Sequence, residues 1–474
     1  MKVDQSKTPL LDAIRTHREK EPISFHVPGH KNGLLIDEEN ASAFYRNDLT
    51  ELSGLDDLHD PKEAVLEAEG LLSDYYGSER SFLLVNGSTV GNMAAILAAC
   101  SRGDIVLVQR NCHKSVLNGI KLAKAEPVLV ETEWDADGRM PLGVSLEAVR
   151  ETLKAYPHAK ACVLTYPTYY GHTYDIESIM EELHRHDVTC IIDEAHGPHF
   201  KLGSPFPRSA LDMGGDIVIH SAHKMLPAMT MGSYLHIGSD RVNQQKVQEY
   251  LSMLQSSSPS YPIMASLDYA RSYIGTLTED ERKRNIEGVL HFVQALKQAH
   301  AGLGVIRTHD PLKLLLRFKG KSGYELQALL ESKGIFTELA DPYYVLMILP
   351  LVKDRFSFPF EEAVARVAEA LEHEPVQEEW PGKRYERLTD KFYSFLSLDY
   401  EQMEGKEETW VCMDEAEGQI ASQMVTPYPP GIPLLIPGEM ISKKIILRLQ
   451  EYVNNKANIQ GYHRLGEGYV RVYR

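Results

Sequence analysis

The sequence predicts an α/β protein whose main unit is a mostly parallel sheet covered by helices on both faces. Three observations predict it. Between about residues 61 and 260, short apolar, β-branched runs alternate with segments of helical periodicity. Polar and reactive residues, Asn86, Asn111, Thr165, Asp193 and Ser221, stand where those runs end, which is where open parallel sheets bind ligands. The chain of 474 residues also exceeds what one core organises, so two or three domains are expected.

Taken in order, residues 1–60 read as a helix and an irregular arm. Thr8 and Pro9 supply an N-cap and a first-turn proline ahead of Leu10, Leu11 and Ile14. The arm carries His26, His30 and Lys31 among glycine and proline, a loop composition suited to a site. The large unit is placed at 61–300. Its strands are expected at Phe82–Val85, Asp104–Val108, Pro127–Val130, Lys160–Thr165, Val188–Asp193, Asp216–His220 and Gly232–Ile237, with helices at Thr89–Cys100, Lys114–Lys124, Ser145–Tyr156 and Asp175–His186. One long helical stretch, Arg241 to Gln298, is expected to break at Ser256–Pro262. Shorter α/β pieces such as Leu312–Phe318 and Tyr344–Leu349 indicate a small domain at 301–384. Pro375, Trp380 and Pro381 interrupt the chain there, leaving 385–474 as a C-terminal domain.

The formal net charge of −17 argues against nucleic acid and anionic membranes as partners, since both call for a basic surface. A small cationic substrate is compatible with it. Five cysteines, Cys100, Cys112, Cys162, Cys190 and Cys412, form no C-x-x-C pair and read as buried thiols of a reducing cytosol. No apolar signal core follows Met1, and the run Val90–Cys100 is too short to span a bilayer. The expected compartment is the cytoplasm.

The chemistry centres on Lys224. It follows the strand-like run Asp216–His220, and Asp193 ends another. A lysine and an acid at neighbouring strand ends are what pyridoxal phosphate (PLP) requires: an amine to bond the aldehyde and a carboxylate to keep the ring nitrogen protonated. Asn86-Gly-Ser-Thr lies between strand and helix, so Ser88 and Thr89 can face an anion at a helix N-terminus, or simply cap an ordinary turn. His113 can stack on a planar ring or sit as a surface histidine. Ser221 and His223 flank the lysine and can reach a phosphate; Thr168 can reach a ring oxygen. His184 with His186 and His196 with His199 offer nitrogen pairs, but neither H-E-x-x-H nor a cysteine pair accompanies them. No metal is expected.

The ordered series Asn86-Gly-Ser-Thr, Asn111-Cys-His-Lys-Ser, Asp193-Glu-Ala-His, Ser221-Ala-His-Lys, Ser258-Pro-Ser-Tyr and Pro427-Tyr-Pro-Pro-Gly-Ile-Pro resembles the prokaryotic ornithine/lysine/arginine decarboxylases. The resemblance covers nearly the whole chain and is to the short Gram-positive-type members without an N-terminal wing domain. It implies PLP fold type I, the aspartate-aminotransferase-like architecture, and decarboxylation of a basic amino acid to an amine of polyamine synthesis. Lys224 would bond the cofactor, Asp193 would pair with its pyridinium, and His113 and Ala195 would cover the two ring faces. Ser88, Thr89, Ser221 and His223 would hold the phosphate, with Ser258 reaching it from a second subunit of a homodimer. Glu439, with His26 and His30 of the arm, would meet the substrate. Thr230-Met231 stands where many members carry Ser-Gln, which bears on substrate choice. The competing reading is an aminotransferase or side-chain lyase of the same fold, for which Arg317 is the candidate grip on the α-carboxylate; a PLP-binding regulator without turnover is a third.

Overall fold

The computed structural model describes residues 3–19, 43–135, 140–378, 380, 391–427, 433–454, 457–460 and 464–474. His26, His30 and Lys31 lie outside these residues.

Seven strands build the large unit: β1 Arg80–Leu84, β2 Ile105–Gln109, β3 Glu126–Val130, β4 Ala161–Thr165, β5 Thr189–Asp193, β6 Ile217–His220 and β7 Ser233–Ile237. Each predicted strand and its intervening helix forms within one to three residues of the expected bounds. Strands β3, β2, β4, β5 and β6 run parallel, as their apolar character and helical crossovers require. β7 inserts antiparallel between β6 and β1. That placement brings the ends of β1 and β6, distant in sequence, to one edge of the cavity described below.

The helix Gly87–Ala99 lies directly on this sheet. A Cβ at Gly91 would stand 2.8 Å from Leu84 Cδ1 and 3.0 Å from Ile219 Cγ2, so only glycine permits the close approach. The expected long helical stretch is three helices, Gln244–Leu254, Tyr261–Gly275 and Glu279–Ala299. The first break falls where the serines and prolines place it. The second, at 276–278, is made by Thr278, whose side chain caps the next helix in a reciprocal capping box with Glu281. Helical periodicity alone passes over that break.

A second sheet, antiparallel and of order β10-β11-β9-β8, is made by β8 Leu303–Arg307, β9 Lys313–Phe318, β10 Leu339–Ala340 and β11 Val345–Ile348. β12, Tyr393–Phe395, pairs with β3, so the C-terminal segment extends the large sheet before packing its own apolar cluster around Leu435, Ile441 and Leu449. Cys100, Cys112, Cys162 and Cys190 are buried and unpaired, and Cys412 is partly buried. No helix among the described residues is long and apolar enough to cross a membrane.

One core carboxyl makes stability depend on pH. Glu69 is buried, accepts the Leu83 N–H at 3.1 Å, and is pushed by burial from its ordinary 4.5 up to about 8. Between those values the folded chain keeps a proton that the unfolded chain has released. Folding stability from this group is therefore complete below pH 4.5 and declines as pH rises toward about 8. Glu69→Gln keeps an acceptor for Leu83 and removes the titration. Its unfolding free energy from urea titrations should exceed that of the unaltered protein increasingly across this window, by on the order of a few kcal/mol at the upper end.

Candidate active site

The parallel register sets the site. Thr165 and Asp193 are paired across β4 and β5, and Asp193 is paired with Ile219 of β6. Ser221 follows at the N-cap of the short helix Ala222–Met225, which carries Lys224. At the neighbouring edge Gly87 turns with φ +79° and donates its N–H to Met231 O at 2.9 Å. A side chain rarely adopts that conformation, which explains glycine here. The turn opens the helix Gly87–Ala99 with Ser88 and Thr89 in its first turn, where free N–H groups favour an anion. Ser221 Oγ donates to Ser88 Oγ at 2.7 Å. His223 Nδ1 donates to Gly232 O at 3.0 Å; because a carbonyl only accepts, the hydrogen sits on Nδ1.

Asp193 is buried, at 4% exposure. Asn92 Nδ2 donates to Oδ2 at 3.0 Å and Ala195 N to Oδ1 at 3.3 Å, so its direct partners are neutral. Asn92 Nδ2 also donates to Ser115 Oγ at 3.0 Å, and the Ser115 hydroxyl meets His113 Nδ1 at 2.8 Å. One amide thus ties the aspartate to the histidine that faces it. Burial, ahead of every other influence, pushes His113 down to about 4, so it presents an uncharged ring at neutral pH.

Lys224 Nζ lies 3.1 Å from His196 Nε2 and 5.6 Å from the centroid of Tyr169. Burial lowers the lysine pKa, while Asp193 and Glu338 oppose the shift. His196 is held well below its ordinary range by burial, so its Nε2 accepts from the amine. These groups line a cavity of about 620 Å³. It brings together Ser88, Thr89, His113, Thr168, Asp193, Ala195, Ser221, His223 and Lys224, all singled out in the sequence. Thr230 and Met231 form part of the wall, and Met231 has φ +77°, an uncommon conformation for a non-glycine residue and one that gathers at functional sites.

Two expected residues lie elsewhere in this chain. Ser258 is exposed in the break before Tyr261–Gly275 and does not reach the cavity. Glu439 is buried against Arg110: Nη2 donates to Oε1 at 3.1 Å and to Oε2 at 3.0 Å, and Ile436 N–H reaches Oε2 at 3.2 Å. Arg110 follows β2 and precedes Asn111, so the pair clamps the C-terminal segment beside the His113 loop. Glu439→Gln should leave the guanidinium buried without its counter-charge and lower the unfolding free energy by about 3–5 kcal/mol, read from denaturant midpoints. Arg317 stacks on Trp380, with Cζ 3.8 Å from the ring centroid. No arginine among the described residues lines the cavity.

Asn92, Ser115, His196, Tyr169 and Glu338 were not singled out from the sequence as site residues. Ser115 and His196 sit inside the motif strings, and both show their contacts only through their partners. Glu338 gives no sequence signal at all, because it arrives from the strand edge before β10 of the second sheet.

Residues 8–314 match the model of the Orn/Lys/Arg decarboxylase major domain. The chain belongs to that family. Residues 385–471 match the C-terminal domain of the Orn/Lys/Arg decarboxylases. Among curated relatives, this family member is 44% identical to the Bacillus subtilis (strain 168) protein named Uncharacterized protein YaaO, over 98% of each chain. It is 31% identical to the Arginine decarboxylase of the same organism, over 97% of this chain and 96% of that one. Among solved structures, Lysine decarboxylase A from Pseudomonas aeruginosa superposes with a TM-score of 0.82 at 22% identity, covering 99% of this chain and 81% of that one. A structure described as SPT with PLP gives a TM-score of 0.53 at 15% identity, over 77% of this chain and 84% of that one. The fold is PLP fold type I.

Proposed function

We propose that this chain is a PLP-dependent decarboxylase that converts a basic amino acid, arginine, lysine or ornithine, to its amine and CO2. One observation carries the reading. A lysine, a carboxylate and an uncharged histidine line one cavity beside a hydroxyl-bearing helix N-terminus, with no arginine in the wall among the described residues. An aminotransferase needs a firm grip on the α-carboxylate, whereas a decarboxylase must let that group leave. Arg317, the candidate grip, is occupied with Trp380.

The residues suit the cofactor. Asp193 is a buried carboxylate with neutral direct partners, which favours a cation against it. Thr165 Oγ1 and His196 Nδ1 are buried without a partner among the described residues. Ser88, Thr89, Ser221 and His223 would hold the phosphate, His113 and Ala195 would cover the ring faces, and Thr168 would meet its oxygen substituent. When bound, PLP supplies an electron sink for the charge that CO2 leaves behind.

The chain's own residues do the rest. Asn92 and the Ala195 N–H orient Asp193, whose charge keeps a proton on the group it faces. His113 remains neutral and adds no competing charge. Lys224 Nζ, lowered by burial and held by a hydrogen bond to the neutral His196 Nε2, would deliver the proton to the substrate α-carbon. We also propose a cytoplasmic homodimer with shared sites, in which exposed Ser258 and the arm with His26 and His30 serve the neighbouring subunit.

Incubating the purified holoenzyme with each of the three amino acids should yield CO2 and the matching amine from at least one. Release of a keto acid without CO2 would favour the aminotransferase reading. A retained yellow cofactor with no turnover of any kind would favour a regulator.

A further inference from the structure

The cavity wall holds two carboxylates among the described residues, and their situations differ. Asp193 lies inside with both oxygens engaged by Asn92 and Ala195. Glu338 stands exposed at the rim, just before β10, with its backbone N–H fixed to Leu346 O at 2.9 Å. Its side chain receives one hydrogen bond, from the Tyr169 hydroxyl to Oε1 at 2.6 Å. No lysine or arginine among the described residues forms an ion pair with it.

We propose that Glu338, held by Tyr169, reads the distal cation of the substrate and so determines specificity; this rests on the decarboxylation of a basic amino acid proposed above. Tyr169 supplies the geometry. Its ring centroid lies 5.6 Å from Lys224 Nζ and 4.5 Å from the His196 ring, while its hydroxyl end touches Glu338. The tyrosine therefore spans the interval from the reacting amine to the carboxylate. The aliphatic chain of a basic amino acid bound at Lys224 crosses that same interval along an aromatic face, and its cation arrives where an unpaired anion waits.

The frame around Tyr169 is rigid. Lys313 Nζ donates to Tyr169 O at 2.6 Å. Tyr170 OH donates to Asp341 Oδ2 at 2.6 Å, and Asp341 Oδ1 accepts the N–H groups of Tyr343 at 2.6 Å and Tyr344 at 2.7 Å. The β10–β11 hairpin is thereby pinned to the loop after β4, and Glu338 keeps its place. Glu439 has no such freedom, because Arg110 takes both of its oxygens.

The test uses holoenzymes of the unaltered chain, Glu338→Gln, Glu338→Asp and Tyr169→Phe, matched for cofactor content and melting temperature. Each is assayed on arginine, lysine, ornithine and the uncharged norleucine, with calorimetric binding of agmatine, cadaverine and putrescine. Glu338→Gln should raise KM for the accepted basic amino acid by about ten- to a hundredfold, with kcat within severalfold, and weaken amine binding to match. Glu338→Asp should recover part of the loss, Tyr169→Phe should show a smaller one, and discrimination against norleucine should shrink only in the variants. Unchanged KM and amine binding in Glu338→Gln, or equal losses on charged and uncharged substrates, overturns the proposal while leaving decarboxylation intact. Absence of turnover by the unaltered holoenzyme on all three basic amino acids overturns both.

Discussion

Lys224→Ala should lower decarboxylation by on the order of 10⁴-fold while leaving the melting temperature near that of the unaltered protein. On the proposed reading the amine would bond the cofactor aldehyde and carry the proton on the His196 side, so one substitution would remove both roles. Its structural cost is small. The Nζ group makes one hydrogen bond, to His196 at 3.1 Å, and burial already disfavours its charged form. Borohydride treatment of the cofactor-loaded protein followed by peptide mapping should label Lys224. A label on Lys31 or Lys114 would overturn the assignment, and near-normal turnover by the variant would overturn the role.

Asp193→Asn should cost ~10²–10⁴-fold in kcat, with the fold intact and some cofactor retained. The substitution preserves shape and can keep the Ala195 N–H bonded to its amide oxygen, yet it removes the charge that, on the proposed reading, would keep the cofactor ring nitrogen protonated. It also sets a second amide against Asn92 Nδ2, now 3.0 Å from Oδ2, so Asn92 must turn. Because Asn92 Nδ2 also serves Ser115, which serves His113, the histidine ring should shift as well. Asn92→Ala isolates that second effect. Turnover close to normal in Asp193→Asn would mean that another group keeps the ring protonated.

The large-domain elements were legible because a parallel sheet buries both faces. Strands such as Val106-Leu107-Val108 and Cys190-Ile191-Ile192 must then be continuously apolar, and the reactive residues are left at their ends. The break at Thr278 was written as a capping box but hidden inside a long helical period. The antiparallel insertion of β7 between β1 and β6 had no local signature, since strand order is decided by how crossovers pack.

By itself the sequence determined which strand-end residues gather on the wall of the cavity. Asn86 to Thr89, His113, Asp193 and Ser221 to Lys224 are each fixed by a strand terminus, and a strand terminus is a local property. Only the tertiary structure decided which acid stands free to meet a cation. The family resemblance singled out Glu439 to meet the substrate, while Glu338 read as an ordinary glutamate in the chain. Folding buries the first against Arg110, 329 residues away in sequence, and brings the second beside Tyr169, 169 residues away. A carboxylate's availability depends on which cation the fold places next to it, and that is set by contacts between segments far apart in the chain.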